Sequence, residues 1–137
     1  MMLYSKDILR RSKDFRTVEK PSIVTHSHRV SNPICGDRVE FLLNVPNDRV
    51  VDAWIEVKGC ALCKASASLL SEHLLGLSVF QVSNRTEKFL EDVNALLDGH
   101  TTMGEASLFE ALPWAPARKE CVVLPWRCLS AALNQET

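Results

Sequence analysis

Two runs of alternating apolar residues flank a turn and leave room for little but a β-hairpin. Val39, Phe41, Leu43 and Val45 alternate with Arg38, Glu40, Leu42 and Asn44, and Val51, Ala53, Ile55 and Val57 alternate with Val50, Asp52, Trp54 and Glu56. A period of two puts each apolar set on one face of its strand. Pro46-Asn47-Asp48 between the runs supplies turn chemistry. Residues 22–30 are β-branched and polar, which predicts an edge strand ahead of the hairpin.

Elsewhere the period changes. Tyr4, Ile8, Leu9 and Phe15 predict a basic helix over roughly 4–16, within an amino-terminal stretch of 20 residues that could be mobile. Gly59 ends the second hairpin strand. The Ala/Ser/Leu-rich stretch from Cys60 to Leu75 then reads as a helix, with Leu62, Ala65, Leu69 and His73 on one face and Gly76 as its stop. Another helix is predicted over 79–97, ending at Asp98-Gly99. Residues 100–118 form a connection broken by Pro113 and Pro116, with room for one helical turn near 105–112. Val122, Trp126, Leu129 and Leu133 mark a last helix starting at Cys121, where Pro125 fits if it lies in the first turn.

With 137 residues, 46% of them hydrophobic, the chain can bury a core as one domain without covalent staples. A net charge of −1 gives no electrostatic case for nucleic acid or an anionic membrane. The first 20 residues hold six Lys/Arg against three Asp/Glu with no apolar segment after them, and no run of about 18 apolar residues occurs. The expectation is a soluble, cytoplasmic protein. Five cysteines is an odd number, which favours thiols kept for metal or redox work in a reducing compartment over a disulfide framework.

Cys35 and Asp37 stand in the turn-like run Asn32-Pro33-Ile34-Cys35-Gly36-Asp37, Cys60 at one expected helix start and Cys121 at another. A helix start favours the thiolate, the form that binds metal and attacks sulfur. Three thiolates and one harder carboxylate could surround a zinc ion, and the carboxylate would exchange more readily. Scattered cysteines in a soluble protein are also commonly buried small residues.

Three blocks in order, Asn32-Pro-Ile-Cys-Gly-Asp-Arg-Val39, Lys58-Gly-Cys-Ala-Leu-Cys-Lys-Ala-Ser-Ala-Ser-Leu-Leu70 and Pro116-Ala-Arg-Lys-Glu-Cys-Val-Val-Leu-Pro-Trp-Arg-Cys-Leu129, resemble the U-type scaffold family of iron–sulfur cluster assembly, comprising SufU, IscU and the NifU N-terminal domain. The 60 residues between Cys60 and Cys121, with Arg118 three positions before Cys121 and Glu120 in place of the IscU histidine, resemble the SufU branch. The resemblance implies an α+β fold, a small antiparallel three-stranded sheet packed by helices on one side. It also implies zinc held by Cys35, Asp37, Cys60 and Cys121, and partnership with a SufS-like cysteine desulfurase whose persulfide sulfur Cys35 accepts. The same Cys35, Cys60 and Cys121 could instead hold a transient [2Fe-2S] cluster destined for apo iron–sulfur client proteins. Such a protein is an accessory of the desulfurase and not itself an enzyme.

Departures from the family pattern carry alternatives. Cys63 makes a Cys60-Ala-Leu-Cys63 pair that could be a redox couple, a fifth ligand or a resolving thiol, or simply a small core residue. A structural zinc protein that binds a partner and a thiol-disulfide redox protein using Cys60 and Cys63 are the competing functions. Cys128, beside Trp126, reads as a buried inert thiol. The amino-terminal stretch lacks the family's His-Tyr-x-x-Pro run. His26 and His28 alternate on one side of the edge strand and could ligate metal, though they read rather as solvent-facing, His73 lies too far from Cys60 for a shared metal, and His100 reads as exposed. Lys58 and Arg118, close to the ligand cysteines, could contact an anion or a partner.

Overall fold

Alternation along the first hairpin strand does what it predicts, whereas Val51 of the second run lies ahead of the strand and is exposed, with Val50 buried in its stead. In the computed structural model, which describes residues 6–14, 19–33 and 36–134, Val39, Phe41 and Leu43 are fully buried on one face of the central strand. That strand is β2 (Arg38–Asn44), between β1 (His26–Ser31) and β3 (Asp52–Lys58), in an antiparallel sheet of order β1-β2-β3. Thr25 N–H and Oγ1 extend the β1 edge by bonding to Leu43 O and Val45 N–H. The β2–β3 turn places Asn47 at φ 54° and Asp48 at φ 59°, left-handed values that Asn and Asp tolerate better than other side-chain-bearing residues.

Helices cover the inner face. The elements α1 (Lys6–Asp14), α2 (Ala61–Ser71), α3 (Val79–Leu97) and α4 (Pro116–Leu133) pack so that α2 and α4 lie on the sheet, α1 lies along α2, and α3 lies against α4. Ile8 of α1 is buried in the same core as the sheet residues. Phe89 of α3 stacks on Trp126 of α4 at 4.0 Å and meets Phe109 edge-on at 6.4 Å. Stacked and T-shaped pairs add about 0.5–1.5 kcal/mol each beyond area burial. On the outer face Trp54, paired with Leu42, carries the Lys20 ammonium 4.9 Å from its ring centre.

Two boundaries differ from expectation. The second helix ends at Ser71, because the chain leaves through His73 at φ 62° and residues 76–77 bond to both backbone groups of Val50. Gly76 shapes that link and does not end the helix. The last helix starts five residues before Cys121, at Pro116, whose fixed φ suits a first helical position. Pro125 therefore lies in the helix interior, where a proline removes the donor for the carbonyl four residues earlier. By contrast α3 has the predicted bounds. Ser78 and Gln81 form a reciprocal capping box at its start, and Gly99 at φ 89° ends it.

The long connection after α3 has one short 3-10 turn, Glu105–Phe109. It is fastened by Arg85, which pairs with Glu105 at 2.6 and 2.7 Å and donates to the carbonyls of Leu69 and Leu70 at the end of α2. A cation there complements the negative end of the helix dipole. Among the described residues no helix is long and apolar enough to cross a membrane.

Since Phe41 is fully buried at the centre of the sheet, Phe41→Ala is expected to cost about 3–5 kcal/mol of unfolding free energy. Urea denaturation followed by tryptophan fluorescence checks this.

Candidate metal centre

Sheet register builds one wall of the site. Arg38 opposes Lys58 as the last pair of β2 and β3, so Asp37 and Gly59 are the next residues out, facing each other where the two strands end. The loop into Asp37 is closed by two backbone bonds, Gly36 N–H to Asn32 O at 2.7 Å and Asn32 N–H to Asp37 O at 2.8 Å, with Gly36 at φ 75°. A Cβ on residue 59 would collide with Asp37 Oδ1 and Cγ. Glycine at 59 is what lets the carboxylate sit over the backbone.

Gly59 leads into Cys60, the N-cap of α2, whose backbone N–H donates to Asp37 Oδ1 at 3.0 Å and whose thiol lies 3.7 Å from Oδ2. The carboxylate is only 1% exposed. It satisfies a helix-start donor that would otherwise be orphaned, and a negative charge is favoured at that end of a helix. Cys121 projects from the second turn of α4, 8% exposed, beside both groups. The ligand atoms of Asp37, Cys60 and Cys121 all lie within 4.8 Å of one another.

Thiolates at about 2.3 Å from a tetrahedral zinc stand roughly 3.7 Å apart. The three donors are thus close enough to converge on one cation with small movements, and one oxygen with two sulfurs suits zinc. Burial pushes the Cys121 thiol far above its ordinary value, and the Asp37 carboxyl and Cys60 beside it push the same way. Buried beside these two groups, the Cys121 thiol keeps its proton until a cation takes its place.

Of the expected site residues, the fold brings Asp37, Cys60 and Cys121 together, while Cys35 lies outside the described residues. Cys121 is not at a helix start as expected; the helix begins earlier and the thiol is supplied from its flank. Cys63 points into the hydrophobic core from the first turn of α2 and is fully buried. Cys128 is fully buried too, its thiol against the backbone of His28 and Val39, and burial pushes it up to about 12. Arg118, half-buried in the first turn of α4, donates to Pro113 O. Lys58 is exposed and lies 3.7 Å from Glu56. His26 and His28 are half-buried on the inner face of the sheet edge, not fully solvent-facing, since His28 pairs with Phe41 and shares its side. Sequence reasoning missed the need for a glycine at 59, although a Gly placed where a strand meets a cysteine-started helix was the available signal. It also missed the hydroxyl of Ser66, for which the sequence offers no pattern.

The family model described as the NifU-like N-terminal domain matches residues 3–135. The chain is 28% identical to the zinc-dependent sulfurtransferase SufU of Bacillus subtilis over 98% of this chain and 91% of that one. It is 29% identical to the iron–sulfur cluster assembly scaffold protein IscU of Thermotoga maritima over 98% and 94%. Among solved structures it is similar to a protein from Fervidobacterium islandicum described as an iron–sulfur cluster assembly scaffold for the SUF system, with a TM-score of 0.76, 25% identity and coverage of 97% and 98%.

Gly59→Ala is expected to push the Asp37 carboxylate off Cys60 N–H, cost about 1–3 kcal/mol of stability and weaken zinc binding about tenfold or more, read by competition with a chromogenic chelator. A thiol held above the working pH must lose its proton before it ligates, so zinc uptake should release protons and tighten as pH rises through neutrality. Calorimetry in buffers of different ionisation enthalpy reads both.

Proposed function

The chain belongs to the NifU-like N-terminal domain family, and from that premise we propose that it is an iron–sulfur cluster assembly protein that accepts sulfur from a cysteine desulfurase at a zinc site. The observation that carries this reading is the convergence of Asp37, Cys60 and Cys121 within 4.8 Å, with Asp37 two residues in sequence from Cys35. Cys35 completes the ligand set as the fourth donor. Zinc bound there would keep thiolates deprotonated at neutral pH.

The chain's own residues do the rest. Asp37 is held by Cys60 N–H on one side and by the space above Gly59 on the other, and its oxygen is the ligand most easily given up. In the sulfur-transfer step the Cys35 thiolate attacks the outer sulfur of the desulfurase's cysteine persulfide. The S–S bond breaks, the outer sulfur stays on Cys35 as a persulfide, and the partner's cysteine leaves as a thiolate. The protein is an accessory to the desulfurase, which does the carbon–sulfur cleavage, and its onward partners are apo iron–sulfur proteins. The similarity to relatives named as scaffolds supports a second reading, in which Cys35, Cys60 and Cys121 hold a nascent [2Fe-2S] cluster. Metal analysis and an absorption spectrum of anaerobically purified protein separate the two occupants.

Mixing the protein with a SufS-like desulfurase and free cysteine should place one extra sulfur on Cys35, seen by peptide mass spectrometry, and Cys35→Ser should abolish it. Absence of the persulfide with unchanged sulfide release would leave only a structural zinc role. At limiting zinc, Asp37→Ala should hold metal more weakly by at least the roughly 10-fold that outer-shell changes cost. Equal zinc content in that variant and the parent would remove Asp37 from the ligand set.

A further inference from the structure

Pro125 leaves a flaw in α4 one turn beyond Cys121. A proline has no N–H for the carbonyl of Cys121, and its ring crowds that same carbonyl. Another helix braces the chain at this point. Ser66 of α2, fully buried, donates its hydroxyl proton to Val122 O and accepts the Trp126 indole N–H at 3.0 Å. One hydroxyl therefore grips α4 on both sides of Pro125, at the residue after Cys121 and at the residue after the proline.

Ser66 also sits on the helix that Cys60 begins, less than two turns along it. The spacing between Cys60 and Cys121, which come from different helices, is fixed where those helices are joined. The hydrogen bond of Ser66 to Val122 is a link between α2 and α4 that lies one residue from a candidate ligand. Trp126 is itself held, by stacking on Phe89 and by the Arg85 guanidinium 5.1 Å from its ring centre. The grip thus rests on a rigid base.

We propose that Ser66 is a positioning residue for the metal centre, setting the separation and orientation of the Cys121 sulfur relative to Cys60 and Asp37 through its hydrogen bond to the Val122 carbonyl. The inference rests on the zinc-site reading above and goes beyond it by assigning a residue that touches no ligand atom. Groups that orient ligands from outside the coordination shell typically control metal affinity by about 10–100-fold.

Cobalt(II) is the probe, because its sulfur-to-metal charge-transfer and ligand-field bands report thiolate count and geometry apart from any sulfur-transfer activity. Ser66→Thr and Ser66→Val have the same bulk and differ only in the hydroxyl, so overpacking affects both alike, and circular dichroism checks that each is folded. The expected result is parent-like cobalt bands and affinity for Ser66→Thr, and for Ser66→Val shifted or weakened ligand-field bands with about tenfold or greater loss of affinity. Matching bands and affinities in the two variants would overturn the proposal. Thiolate bands absent from the parent itself would instead overturn the zinc-site reading, and with it the role assigned to Ser66. Ser66→Ala, which leaves a smaller side chain, should resemble Ser66→Val in its cobalt spectrum, and a parent-like spectrum there would count against the hydroxyl.

Discussion

Asp37 holds two pieces of chain together before it holds anything else. Its carboxylate bridges the loop that enters the central strand and the first turn of α2, accepting the Cys60 N–H at 3.0 Å while almost wholly removed from water. A buried carboxylate is costly unless hydrogen-bonded, and here the helix start supplies the donor and a favourable dipole. The strand ends, the glycine opposite and the cysteine cap all follow from placing that one group. The arrangement around a cation is an extension of an interaction the fold already makes.

The elements that present donors are joined by packing and not by covalent links. β2 presents Asp37, α2 presents Cys60 and α4 presents Cys121, and the three meet through a core built from Val39, Phe41, Leu43, Phe89 and Trp126. The link between α3 and α4 is tied back by Arg85, which neutralises carbonyls at the end of α2 and pairs with Glu105 of the connection. Half-buried and geometrically matched, that ion pair belongs to a network and is worth more than an isolated surface pair.

Much of this was legible in the residue order. The period-two runs gave β2 and β3, the glycine stop gave the end of α3, and Cys60 was placed at a helix start from the Gly59 break and the Ala/Ser-rich run after it. What was not legible depended on contacts between distant segments. The helix of Cys60 was read through to Leu75 because propensity alone has no knowledge of the Val50 backbone that captures Gly76 and Leu77. The start of α4 was set at Cys121 because a proline at 125 argues for a first-turn position, and the brace that Ser66 lends the helix beside that proline joins it to Val122, 56 residues on in sequence. Grouping Cys60 and Cys121 with Asp37 required matching blocks of sequence, since spacing by itself does not reveal convergence.

The interior proline has a mechanical meaning. A helix with an unbroken ladder moves as a rod, whereas one missing a rung can bend at the gap with less cost than stretching several hydrogen bonds together. Ser66 closes that gap from α2, bonding to Val122 and Trp126 on either side of Pro125, so the turns that bear Cys121 are braced to a second helix. A sulfur on a strut braced in this way keeps its place through the neighbouring helix, and displacing it means displacing α2 as well.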